Sequence, residues 1–176
     1  YWNRPTENGR IFRAQRSDSD DGPYLRTGDL GRKDADGYVW ITGRAKEIFK
    51  TAKGKYVAPV PIESLVAQNP IVEQVCVMGL GMIQPVALVQ LAMEGVSDLE
   101  LARRRLADTL KLVNEQLETH ERLARLIVVS EEWSIGNGLL TPTLKVRRRR
   151  AWEAHAAALD RLYSEDEARE PAFQER

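Results

Sequence analysis

Asp29 follows Thr27-Gly28, so its carboxylate leaves a tight turn at a strand end. A carboxylate so placed can accept both hydroxyls of a ribose, the use that dinucleotide folds make of an acid. The local residues favour the plainer role of an Asp that stabilises its own turn. Arg44, after Gly43, offers a planar donor fork suited to phosphate or ribose oxygens, with a surface Arg at a linker as the even alternative. Gly54, between Lys53 and Lys55, supplies positive φ in a turn, and its missing Cβ also permits close approach of a ligand. Lys145 lies in TPTLKVRR on a segment bent by Pro142, from which a long ammonium can reach a cleft. Taken alone it is one of several basic residues before a helix, and Lys46 alone is a solvated hairpin lysine.

The chain around them has 176 residues and no net charge, with 26 basic and 26 acidic side chains, so nothing points to a polyanionic partner. Its one cysteine, Cys76 in VEQVCVMG, excludes an intramolecular disulfide and suits a reducing cytoplasm, where it packs as a small hydrophobe. His120 and His155 lack the neighbours of a metal site, so no metal ligand is assigned. No apolar run is long enough for a membrane span. The run Arg147 to Arg150 opposes the dipole of the helix it starts. It reads first as a solvated collar and second as a contact for an anionic ligand or a membrane surface, giving a cytoplasmic or membrane-peripheral protein. Without interleaved aromatics it does not read as a nucleic-acid site.

Two strands, 24–27 and 38–42, are predicted across Asp34-Ala35-Asp36-Gly37, an Asp-Gly hairpin signal. Residues 17–23 are a polar, turn-rich loop. A second hairpin, 47–50 with 55–57, turns through Ala52-Lys53-Gly54. A helix over 60–68 follows, opened by prolines and ended by Asn69-Pro70. Strands are predicted at 71–78, 86–91 and 125–130 from their β-branched runs. Ser97-x-x-Glu100 is a capping box for a helix whose stripe is Leu99, Ala102, Leu106, Leu110, Val113 and Leu117. A last helix over 147–163 carries Trp152, Ala156, Leu159 and Tyr163, and the charged tail 164–176 frays. From residue 44 onward the order is β-β-α-β-β-α-β-α. It gives a small α+β domain of a hairpin and a three-stranded sheet whose helices cover one face.

Three ordered motifs, RTGDLG at 26–31, GRAKEIFK at 43–50 and GLLTPTLKVRR at 138–148, resemble the adenylate-forming superfamily, most closely the long-chain fatty acyl-CoA synthetases. The resemblance implies that residues 1–43 are the edge of a large N-terminal AMP-binding domain and residues 44–176 the C-terminal lid of a longer enzyme. It makes Asp29 the ribose ligand, Arg44 a nucleotide contact and Lys46 the hinge on which the lid pivots between two poses. It places Gly54 on a loop that admits the pantetheine arm of coenzyme A, whose phosphates the flanking lysines suit. It makes Lys145 the lid lysine, stabilising charge as a carboxylate meets the α-phosphate of ATP. Gly136, where relatives often carry an acid, adds freedom to its loop.

The resemblance thus implies an acid–thiol ligase using ATP, Mg²⁺ and coenzyme A on a fatty acid, with the Mg²⁺ ligands in the large domain and this part alone inactive. Two other functions fit the same residues. One is an adenylating enzyme with a different acceptor, such as a carrier-protein thiol or an amine. The other is a non-catalytic interaction module, which would have no chemical need for Asp29, Arg44, Gly54 and Lys145 together.

Overall fold

The computed structural model describes residues 2–13, 24–92 and 99–167. The loop expected over 17–23 and the capping Ser97 lie outside them. A short helix α1 (Pro5–Ile11), unforeseen in the sequence, opens the described chain with Pro at its first position. Strand β1 (Phe12–Arg13) then pairs antiparallel with β2 (Tyr24–Leu25). The strand expected at 24–27 therefore does not form the hairpin. Its partner role belongs to β3 (Asp29–Lys33), which pairs with β4 (Val39–Arg44) in the register Lys33↔Val39 through Asp29↔Arg44.

The turn decides this register, because antiparallel partners are counted outward from it. Asp34 Oδ1 accepts the N–H groups of Asp36 at 3.1 Å and Tyr38 at 2.9 Å, and Oδ2 accepts the Trp40 indole N–H at 2.7 Å. The Trp40 bond, with these backbone donors, holds the Asp34 carboxyl below its ordinary pKa. The adjoining strand must then run back from Lys33, although Gly31-Arg32-Lys33 has little intrinsic strand preference. A bulge between Leu30 and Gly31 brings the backbone close at this point. A Cβ at Gly31 would stand 2.9 Å from the Trp40 carbonyl oxygen.

Beyond β4 the order matches the sequence reading. Strands β5 (Phe49–Lys50) and β6 (Tyr56–Val57) form the second hairpin, followed by α2 (Pro59–Val66). Then come β7 (Val72–Met78), β8 (Val86–Leu91), α3 (Leu99–Gln116), β9 (Leu126–Val128) and α4 (Arg148–Glu167). Residues 164–167, expected to fray, are helical. In the three-stranded sheet β8 is central, antiparallel to β7 and parallel to β9, with α3 as the crossover.

The helices cover both faces of this sheet and not one. Val77, Ala87, Val89 and Leu126 face α2 and α3 through Ile62, Val66, Ala102, Leu106 and Val113. Cys76, Met78, Val86, Leu88 and Ile127 face the opposite way, against Trp133, Leu139, Leu140, Ala151 and Leu159. The cause is legible in β8: VALVQL lacks the apolar–polar alternation of a half-solvated strand, and its first five residues are buried. Gln90, buried on the α4 side, donates to Glu73 at 3.0 Å and accepts the Trp133 N–H at 2.9 Å. That bond fastens the segment leading to α4.

Two-sided burial has a measurable consequence. Leu88→Ala is expected to cost about 2–5 kcal/mol by cavity formation on the α4 side. Val89→Thr should cost about 1–3 kcal/mol by burying a hydroxyl on the other. Urea unfolding of both variants checks this; a neutral result for either would mean that its face is open to solvent.

Candidate functional site

The site begins at a backbone feature. Gly28 stands at φ +80, a conformation open to glycine, and it turns the chain into β3 so that Asp29 becomes the first strand residue. The Thr27 hydroxyl accepts the Asp29 N–H at 3.1 Å, and the Gly28 carbonyl accepts the Ala45 N–H at 2.9 Å. Asp29 sits opposite Arg44 in the ladder, and Arg44 Nε lies 3.2 Å from Asp29 Oδ1. The Arg44 side chain is 62% exposed, so the pair contributes no more than about 1 kcal/mol. It orients two side chains without locking them. A carboxylate has room for several donors, so one Arg nitrogen leaves Asp29 able to accept hydroxyls.

Lys145 is carried on an arm. Leu139 accepts the Arg147 N–H at 2.8 Å, Leu140 bridges Val146, and Thr141 exchanges backbone bonds with Leu144 at 2.9 Å and Lys145 at 2.8 Å. The turn passes through Pro142 and closes on Leu144 at φ +58. The Thr141 hydroxyl also accepts the Lys145 N–H at 3.1 Å. Before the arm, Asn137 Oδ1 accepts the N–H groups of Ser134 and Leu139, and its amide donates to the Glu132 carbonyl at 2.8 Å. The freedom expected from Gly136 is thereby restrained by its neighbour.

Asp29, Arg44 and Lys145 line one cleft of about 520 Å³, with Val60, Gln74, Leu144 and Arg148 among its other walls. Lys46 and Gly54 lie outside it. Lys46 is exposed in the turn after β4, where the Glu47 N–H bonds the Arg44 carbonyl at 3.0 Å. Gly54 stands at φ +77 at the tip of the β5–β6 hairpin, its N–H bonded to the Thr51 carbonyl at 2.9 Å. That hairpin is braced by Ala52 N–H to the Met82 carbonyl at 2.8 Å and Gly81 N–H to the Lys50 carbonyl at 3.0 Å.

The residue that the sequence reading missed is Arg148. Taken there as part of a solvated collar, it turns inward. Its Nη1 donates to Glu63 Oε1 and to the Val77 carbonyl at 2.6 Å, and its Nη2 donates to Glu63 Oε2 at 3.2 Å. Glu47 adds a carboxylate at 3.6 Å, and Glu63 Oε1 also accepts the Val77 N–H at 2.7 Å. Burial opposes the charge, but the Glu63 hydrogen bond together with the surrounding Cys76, Glu63 and Glu47 groups outweighs it and the Arg148 pKa is raised. Beside it, burial pushes the Cys76 thiol up to about 12, against the lowering influence of Arg148. One cation is thus removed from the surface collar, while Arg149 pairs with Glu153 at 2.9 Å. No helix among the described residues is long and apolar enough to cross a membrane.

With this geometry in view, comparison with known proteins is direct. The family model of the AMP-binding enzyme C-terminal domain matches residues 46–167. The chain belongs to that family, as the C-terminal lid domain of the adenylate-forming superfamily. It is 34% identical over 164 residues to long-chain-fatty-acid–CoA ligase 6 of Homo sapiens, covering 82% of this chain and 24% of that protein. It is 31% identical over 161 residues to long-chain-fatty-acid–CoA ligase FadD15 of Mycobacterium tuberculosis, covering 81% and 27%. Among solved structures it resembles the A-PCP didomain of the carboxylic acid reductase from Segniliparus rugosus in complex with AMP. That likeness has a TM-score of 0.73 and 26% identity, over 94% of this chain and 23% of that one. The chain spans about a quarter of the length of these relatives.

Two outcomes follow from the Arg148 cluster. Arg148→Met strands the Glu63 carboxylate and should lower stability by about 3–5 kcal/mol, most of it regained on adding Glu63→Leu. Equal urea midpoints for wild type and Arg148→Met would refute the clamp. The thiol has the opposite pH sense to a paired carboxylate. Its folded pKa is raised, so its stabilisation is complete below the unfolded value of about 8.5 and is lost as pH rises toward about 12. Unfolding curves from pH 8 upward should therefore fall more steeply for the parent than for Cys76→Ala; parallel curves would contradict the assignment.

Proposed function

We propose that this chain is the moving lid of an ATP-dependent acid–thiol ligase, working against a large AMP-binding domain, with a boundary at Gly43/Arg44 between residues 1–43 and 44–176. The whole enzyme activates a long-chain fatty acid to its acyl adenylate and passes the acyl group to coenzyme A. The observation that carries this reading is that Asp29, Arg44 and Lys145, far apart in sequence, line one cleft while Gly54 stands on a separate braced hairpin. The likeness to two long-chain-fatty-acid–CoA ligases supports the choice of substrate class.

In this reading Asp29 accepts the ribose hydroxyls, with Arg44 beside it orienting the carboxylate and donating to nucleotide oxygens. Lys145 brings an ammonium to the negative charge that gathers where the acid's carboxylate meets the α-phosphate. The Lys145 side chain is exposed, whereas its backbone is fixed by Thr141, so the charge can reach outward from a stationary base. Mg²⁺, accompanying the ATP phosphates, is assigned to the large domain. Rotation at Lys46 withdraws the Lys145 arm and presents the Gly54 hairpin, whose open tip leaves room for a slender thiol arm. A second reading, transfer to a carrier-protein thiol or onward reduction, draws on the likeness to the carboxylic acid reductase didomain. It shares the first half-reaction and differs in the acceptor.

The test separates the half-reactions in the enzyme that contains this lid. Lys145→Ala should slow adenylation, followed by pyrophosphate exchange, by about 10²-fold or roughly 3 kcal/mol. Consumption of supplied acyl adenylate with coenzyme A should be nearly spared. Gly54→Leu, strained at φ +77, should do the reverse. Equal loss of both steps in both variants would mean that the lid works in a single pose. Turnover with a carrier protein and none with coenzyme A would favour the second reading.

A further inference from the structure

A second cavity, of about 620 Å³, opens on the far side of the Glu47–Arg148 contact that bounds the cleft. Its volume is that of a small-molecule site. Its walls are apolar and aromatic: Phe49, Tyr56, Met78, Leu80 and Trp152. The wall around Gly79 is fixed, because even a Cβ there would stand 2.8 Å from Phe49 Cε2 and 2.9 Å from Pro85 Cα. Tyr56 and Leu80 keep 67% and 69% of their surface in solvent, which leaves apolar area without a partner.

The charge around these walls is one-sided. Lys46, Lys50 and Arg149 line the cavity together with Glu47 and Arg148. Arg148 is held by Glu63 and Glu47, and Arg149 by Glu153. Among the described residues neither Lys46 nor Lys50 has a carboxylate at ion-pair distance. An occupant must therefore present an apolar body and a single anionic group. The Arg148 fork is engaged by Glu63 and Val77, and Arg149 is drawn through Nε to Glu153, so the cations left to face an anionic group are the compact lysine ammoniums, which suit one carboxylate. A planar base is disfavoured as the body, because the Lys50 ammonium lies 5.7 Å from the Tyr56 ring centroid and already occupies that ring.

We propose that this cavity binds a long-chain alkyl carboxylate, its chain against Phe49, Met78, Leu80 and Trp152 and its carboxylate held by Lys46 and Lys50. The site is distinct from the cleft of Asp29 and Lys145 but shares a wall with it and lies against the turn that carries Lys46. Occupancy therefore bears on the segment about which the lid turns.

The 176-residue chain itself suffices for the test. Dodecanoate, kept below its micelle concentration, is titrated while amide and indole shifts are followed by NMR, with dodecanol and dodecyl phosphate in parallel. Saturable one-site binding is expected, with the largest shifts at Lys50, Leu80 and the Trp152 indole. Lys50→Glu and Leu80→Glu, both at exposed positions, should each weaken it by about tenfold or more, and Lys111→Glu on the exposed side of α3 should leave it unchanged. The proposal is overturned if binding does not saturate, if the shifts centre elsewhere, or if Lys111→Glu weakens binding equally. It is equally overturned if dodecanol binds as tightly as dodecanoate, or if dodecyl phosphate binds more than tenfold tighter.

Discussion

The ion pair between Arg148 and Glu63 ties α2 and α4 to the sheet. Arg148 starts α4, Glu63 lies in α2, and the guanidinium also reaches the Val77 carbonyl of β7 and the Glu47 carboxylate in the turn after β4. One side chain therefore joins the two helices to the sheet and touches the segment linking the lid to β4. Removing either charge leaves the other buried, so the cluster works as a unit. It also relieves the conflict of four arginines at a helix N-terminus, because the one nearest the core meets carboxylates there.

That constraint places Lys145. Lys145 is three residues before Arg148, and its arm is closed by the backbone bond from Arg147 to Leu139. Fixing Arg148 fixes the root of the arm and leaves the ammonium free at its end. On the other side, the Arg44–Glu47 turn is short, and it meets the lid core through the packing of β4 on α2 and the longer Glu47–Arg148 contact at 3.6 Å. In the proposed function, a rigid body joined through a short turn is what rotation between two poses requires. The lid's own core, filled on both faces of β7–β8–β9, supplies that rigidity.

Much of this was legible in the sequence. The second hairpin, both long helices and the three sheet strands fall within a few residues of their expected places, because β-branched runs and a helical stripe mark them locally. The motifs carrying Asp29, Arg44 and Lys145 are plain in the sequence, whereas their meeting in one cleft is a tertiary fact that spacing alone does not contain. Several features escaped, the short helix α1 among them. The β3 strand was displaced because Gly31-Arg32-Lys33 is a poor strand by composition and is paired by the Asp34 turn. The second covered face was discounted although VALVQL carries its signature. Arg148 looked like its three neighbours, and only the fold distinguishes the arginine that meets Glu63. A charged residue three positions after the proposed lid lysine, with a Glu in a Pro-opened helix elsewhere, was the available hint.

Arg148 holds the Lys145 arm to the lid core. Native-state hydrogen exchange tests it most directly, comparing the parent chain with Arg148→Met at a pH and denaturant-free condition where both are folded. The arm amides of Thr141, Lys145 and Arg147 should lose protection selectively, while the amides of the central strand β8, Ala87 to Gln90, keep theirs beyond the change in global stability. Unaltered protection across the arm, or a uniform loss in arm and sheet alike, would contradict it.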